Sequence, residues 1–130
     1  MKFTESHEWI RVEDEVGTVG ITHFAQKEIG EIVYVELPFI GKLVEAGQEI
    51  AVLESTKAAA DIYSPVSGEI LAINKKLEEF SQGINQAAET DGWLFKIKVT
   101  DKKELERLLS EEQYKEFKKK KKNSLGLWLY

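Results

Sequence analysis

Along the first two-thirds of the chain, short apolar-rich runs are punctuated by turn residues roughly every eight to twelve positions, the spacing of a β-sandwich or barrel. Residues 9–12 and 16–21 predict two strands flanking an acidic hairpin tip, Glu13-Asp14-Glu15. Thr22 is placed to cap a short helix through Gln26 and Ile29, with Gly30 as its left-handed stop and Phe24 and Ile29 facing inward. Residues 32–37 read as a buried strand closed by Pro38, which lacks the N–H a sheet interior requires. Gly41 marks a turn. Residues 50–54 and 59–63 predict two strands with only Ser55, Thr56, Lys57 and Ala58 between them, so the chain reverses tightly there. A turn over 65–68 leads into a strand at 69–73, residues 74–92 are mostly polar, and 93–99 predict the last strand.

Beyond residue 100 the period changes. Leu105, Leu108 and Leu109 fall at helical spacing behind a capping box, Asp101-x-x-Glu104, and Ser110-x-x-Gln113 repeats the device before Tyr114 and Phe117. Two short helices packed on the sheet are expected, making residues 1–117 one domain. Residues 118–130 hold five consecutive lysines and an apolar remainder too short for a core, and are expected to be a disordered tail. Contact of this tail with an anionic membrane surface ranks below disorder.

Composition narrows the function. With 130 residues, 42% hydrophobic and 32% charged, the chain has material for a single core. The absence of cysteine excludes disulfides, thiolate metal sites and a cysteine nucleophile. No apolar run of signal-peptide or membrane-span length follows Met1, so a cytoplasmic location without stable membrane association is expected. Once the lysine run is set aside, 13 positive charges face 23 negative ones, a net of −10. Such a body repels phosphate backbones, which disfavours nucleic acid, and attracts a partner with a basic docking face. His7-Glu8 opens like a zinc helix, but Arg11 stands where the second histidine would be, and His23 is at no ligand spacing. Both histidines read as surface or core-edge residues. Ser6 beside His7 lacks nucleophile-elbow glycines, and no phosphate-cradling loop is present. No catalytic or metal-ligating residue is assigned.

The chemistry concentrates at one lysine. Lys57 sits at the apex of the tight hairpin among Ser55, Thr56, Ala58, Ala59 and Ala60, small residues that leave an ε-amine open to a modifying enzyme. The segment resembles the lipoyl and biotinyl carrier domains, in which a lysine between two strands receives the cofactor. Biotinyl domains set that lysine between methionines, and the only methionine here is Met1, which favours lipoate.

The resemblance extends over residues 1–117 and is to the H-protein family of the glycine cleavage system. It is carried in order by Ser6-His7-Glu8-Trp9, Val19-Gly20-Ile21-Thr22 with Ala25-Gln26, Gly30-Glu31-Ile32-Val33-Tyr34-Val35-Glu36-Leu37-Pro38, the lysine segment, and Asp91-Gly92-Trp93-Leu94-Phe95-Lys96-Ile97. It implies an all-β barrel-sandwich hybrid with short C-terminal helices, acting as a non-catalytic monomeric carrier with lipoate in amide linkage to Lys57. By the same resemblance, the arm moves the aminomethyl group of glycine between a pyridoxal-phosphate glycine decarboxylase and an aminomethyltransferase. Dihydrolipoyl dehydrogenase reoxidises it, and a lipoate ligase or lipoyltransferase attaches it. The cationic end of the loaded arm is expected in a cleft at Ser6, Glu8 and Asp61, the positions matching the family; a ring contributed by the early helix falls at Phe24. The alternative is a relay or storage protein that passes lipoyl groups to other complexes. Two departures are visible. Ser81-Gln82-Gly83-Ile84-Asn85 replaces a Pro-x-Leu-Ile-Asn run, which is expected to loosen that loop, and residues 118–130 have no counterpart.

Overall fold

The structure, a computed structural model, describes residues 1–120 and the backbone of residues 126–129. The β-rich part begins with β1 (Lys2–Phe3), β2 (Glu8–Glu13) and β3 (Val16–Ile21), followed by helix α1 (His23–Ile29). It continues through β4 (Ile32–Glu36), β5 (Leu43–Val44), β6 (Glu49–Ser55), β7 (Ala58–Tyr63) and β8 (Gly68–Ile73). After the short helices α2 (Lys76–Glu79) and α3 (Gly83–Ala87) come β9 (Phe95–Val99), a 3₁₀ turn (Lys102–Arg107), α4 (Glu111–Lys120) and β10 (Gly126–Leu129).

Two antiparallel sheets enclose one core. The first runs β1-β2-β3-β9-β8-β5 and the second β10-β7-β6-β4. Ile10, Val19, Ile21, Ile70 and Ile97 of the first meet Leu53, Ala60 and Ile62 of the second, with Ile29 and Ile84 closing the end. Each of these isoleucine, leucine and valine side chains, fully buried, stabilises by about 1.5–3 kcal/mol. The sheets do not close into a barrel, and the arrangement is the expected all-β barrel-sandwich hybrid with short helices.

Thr22 caps α1 by accepting the Ala25 N–H, and Gly30 ends it at φ 91° with its N–H on the Gln26 carbonyl. Ser110 and Gln113 form the reciprocal box at α4 (2.9 and 3.2 Å). The box at Asp101 does not form. Asp101 accepts the Lys103 N–H, while Glu104 turns away to accept from the Ser67 N–H and hydroxyl, both at 2.8 Å. Glu104 thus staples the C-terminal segment to the 65–68 turn, leaving a 3₁₀ turn in place of an α-helix.

One further reading is corrected, and two stretches gain detail. β4 is not a buried strand: it is the outer strand of its sheet, with Val33 and Tyr34 about half exposed. The polar stretch 74–92 contains α2 and α3, anchored by buried Leu77 and Ile84. Of the residues expected as a tail, 118–120 continue α4 and 126–129 pair with β7; residues 121–125 and 130 lie outside the described residues. Among the described residues no helix is long and apolar enough to cross a membrane.

Candidate functional site

β6 ends at Ser55 and β7 begins at Ala58, so the reversal consists of Thr56 and Lys57 alone, both exposed. Ser55 is buried and braces the turn from beneath. Its Oγ accepts the Ala58 and Lys57 N–H groups (3.1 and 3.3 Å) and approaches the Ala58 carbonyl (3.4 Å). The small residues thus have two tasks: Ala58 and Ala60 are fully buried in the core, and only Thr56 and Ala59 leave space outside. Among the described residues the Lys57 ammonium makes no ion pair.

The lysine stem runs over Gly30 at the end of α1. A Cβ at position 30 would lie 3.2 Å from Lys57 Cε, on a backbone (φ 91°) that already favours glycine. That floor is held by Asn85 of α3. Its Nδ2 donates to the Gly30 carbonyl (2.8 Å) and to Gln26 Oε1 (2.9 Å), and its Oδ1 accepts the Ile32 N–H (2.9 Å). Ser81 adds a bond to the Ile32 carbonyl (2.7 Å). The segment expected to be loose is therefore the support under the lysine. Ser55 and Asn85 were not singled out from the sequence; a buried serine two residues before the lysine, and an asparagine in a polar stretch, carry no local signal of these contacts.

At the other end of β7 the structure brings Ser6 and Glu8 together. Glu8 is fully buried and accepts from Thr4 and Ser6 hydroxyls, both at 2.5 Å, and from the Tyr63 N–H at 3.0 Å. Burial pushes its carboxyl above the usual carboxylate range, against those hydrogen bonds, which favour the charged form. Ser6 and Tyr63 line an open cleft of about 470 Å³ with Thr4, Arg107 and Leu108, while Glu8 lies behind that lining. Asp61 is half-buried on the outward face of β7, in line with Ala59 and Tyr63. Lys57 stands four residues back from it.

His7, expected at the surface or core edge, is fully buried, and His23 is exposed on α1. His7 Nδ1 and Thr22 Oγ1 each lie 2.7 Å from the Tyr114 hydroxyl, and the His7 ring packs against Phe24 (4.7 Å between centroids) and Phe117 (5.9 Å). Burial, aided by the positive Lys118, holds the His7 pKa down to about 4, so the ring is neutral at pH 7. It is a structural clasp for α4, which also stacks Tyr114 on Phe3. No group of three or more His, Asp or Glu among the described residues could hold a metal ion.

Residues 1–121 match the family model described as Glycine cleavage H-protein. The chain is 50% identical over 116 residues to the glycine cleavage system H protein of Thermotoga maritima, covering 89% of this chain and 94% of the relative. It is 53% identical over 122 residues to a probable glycine cleavage system H protein of Aeropyrum pernix, covering 94% and 85%. Among solved structures, a glycine cleavage system H protein from Mycobacterium marinum superposes with a TM-score of 0.81 at 31% identity, covering 91% of this chain and 93% of the other. An exposed lysine on a braced two-residue turn, set on this sandwich and matched over nearly the whole length, has one family reading: the chain belongs to the glycine cleavage H-protein family.

Proposed function

We propose that this protein is the lipoyl carrier of a glycine cleavage system, a monomeric cytoplasmic protein without catalytic activity of its own, modified on Lys57. The observation that carries the reading is the presentation of Lys57. It is an exposed ε-amine on a two-residue turn, fixed from below by Ser55 and carried over a glycine that leaves the stem unobstructed. When bound in amide linkage there, lipoate supplies a dithiolane that takes up and releases the aminomethyl group of glycine, and the hard chemistry rests with cofactor and partner enzymes.

The residues of this chain do the positioning. A lipoylated lysine extends about 15 Å from its Cα, by summed bond lengths. Laid along the outward face of β7, it passes Ala59 and comes to Asp61, four residues or about 13 Å away. Asp61 then offers a carboxylate to a cationic arm end, which a charge-assisted hydrogen bond favours. Tyr63, about 20 Å along the strand, lies beyond that reach. Ser6 faces the cleft there, and the buried Glu8 orients the Ser6 hydroxyl by accepting its hydrogen bond. Arg107 in the cleft lining opposes a cation, which supports Asp61 as the first contact.

The proposed partners are the pyridoxal-phosphate glycine decarboxylase, the aminomethyltransferase, dihydrolipoyl dehydrogenase, and the ligase or transferase that attaches lipoate. The acidic body suits partners with basic docking faces. The relay or storage alternative needs the same lysine and draws no support from relatives named for glycine cleavage. The test is reconstitution of the lipoylated chain with the glycine decarboxylase, following exchange of labelled bicarbonate into glycine. Exchange that depends on the lipoylated chain supports the reading; a lipoylated chain that supports no exchange overturns it.

A further inference from the structure

The strand that follows Lys57 has β6 on one side and β10 on the other. Without β10 the outer edge of β7 would be bare over residues 58–61, and a bare edge offers its N–H and C=O groups to any extended peptide. The chain's own C-terminal strand fills that edge, with Gly126 opposite Asp61, Leu127 opposite Ala60, Trp128 opposite Ala59 and Leu129 opposite Ala58. The antiparallel direction runs the chain toward the hairpin, so Leu129 stands opposite the residue next to Lys57. The family match ends at residue 121, which leaves this strand as an addition to the shared domain. It is uncharged and is reached through the block of five lysines, which the −10 of the preceding residues attracts.

We propose that β10 is a built-in cover of the β7 edge that slows access of the lipoate-attaching enzyme to Lys57, an inference that rests on Lys57 being the lipoyl acceptor. A four-residue strand paired on one side only belongs to the weakly held elements that open locally, and the proposed cover opens in that way. An enzyme that grips the flank of the hairpin acts only on the open fraction, and attachment slows by that fraction.

The test compares three forms: the full chain, a chain ending at Lys120 that keeps α4 whole, and Leu127→Pro with Trp128→Pro. In an antiparallel ladder alternate residues point their N–H at the partner, so one of two consecutive prolines removes a donor to β7. Each form is incubated with lipoate, ATP and a lipoate ligase. On the ligase the lipoate carboxylate attacks the α-phosphate of ATP and pyrophosphate leaves; the ε-amine then attacks the carbonyl of the lipoyl adenylate, the amide forms, AMP leaves and the amine proton passes to solvent. Initial rates are read by intact mass and hydrogen exchange is read over residues 58–61. The expected result is attachment about three- to tenfold faster in both altered forms, with faster exchange of that segment. Rates equal within about twofold, or unchanged exchange, overturn the cover while leaving Lys57 as the acceptor. No mass gain on any form, or gain that persists after Lys57→Arg, overturns the carrier reading and this proposal with it.

Discussion

Lys57 and Glu8 lie beside opposite ends of β7 and in opposite environments. Lys57 is exposed, and its side chain is held only by a stem resting on Gly30. Glu8 is fully buried and its carboxylate is committed to Thr4, Ser6 and Tyr63. A group with the role proposed for Lys57, to be modified and then to swing, must be reachable and lightly tethered. A group that holds the neighbouring segment in place gains by being dry and saturated with donors, at the cost of desolvating its charge. The same strand serves both ends because its inner face, Ala58, Ala60 and Ile62, is locked in the core.

The sharpest test of this contrast is Lys57→Arg. The guanidinium keeps the charge and stem but is always protonated and forms no amide. Intact-mass measurement after incubation with lipoate ligase should show one lipoyl group on the parent and none on the variant. Its melt should match the parent's within about 0.5 kcal/mol, since an exposed turn residue contributes little.

Glu8→Ala should do the reverse. It strands the Tyr63 N–H and the two hydroxyls, costing about 3 kcal/mol, a fall of roughly 10 °C in melting temperature, with Lys57 still lipoylated below the transition. Glu8→Gln, which keeps an acceptor, should lose less. A chemical melt that leaves Glu8→Ala as stable as the parent would remove Glu8 from the structural side of the comparison.

The acid limb of stability tests the other buried group of this end. His7 is neutral in the fold with a pKa of about 4, against 6.5 unfolded, so between those values the unfolded chain binds more protons. Stability from this group is full above pH 6.5 and is lost as pH falls to about 4, a change on the order of 3 kcal/mol. Glu8 works in the opposite sense, because its raised pKa gives stability that is present at low pH and lost as pH rises through its folded value. Denaturant titrations in a Glu8→Gln background isolate the His7 contribution, and a flat profile there would contradict a neutral buried ring.

A smaller effect belongs to the floor of the lysine. Gly30→Ala should cost about 1 kcal/mol through its positive φ and slow lipoyl attachment as the Cβ presses on the stem. Unchanged kinetics would mean that the stem finds another path. Smallest of all, the affinity of the lipoylated chain for its partner enzymes should weaken severalfold between low and physiological salt, if the acidic body steers docking. Titration at several ionic strengths reads it.

The hairpin was legible in the sequence because its determinants are local. Two alternating runs with four small or polar residues between them can only reverse sharply, and the single lysine at the tip follows. Thr22, Gly30 and the Ser110–Gln113 box were legible for the same reason: each cap is a contact between residues close along the chain. Expectations went astray where long-range partners decide. Ile32 to Glu36 is apolar enough for an interior strand, but sheet order places it at the edge. Glu104 had a local role available and took a bond to Ser67 across the molecule. His7 has no burial signal in its neighbours; it is dry because Tyr114, more than a hundred positions away, closes over it. The segment 81–88, read as looser for want of a proline, gains its order from Asn85 and Ser81 reaching α1 and β4. What the sequence determined by itself was the strand and turn punctuation, the acidic charge and the lysine at the hairpin tip, since these depend on φ/ψ preference, composition and neighbours within a few residues. The tertiary structure alone decided which charged groups are dry, what supports the lysine from below, and that residues 126–129 lie along β7, because burial and strand order depend on residues far apart in the chain.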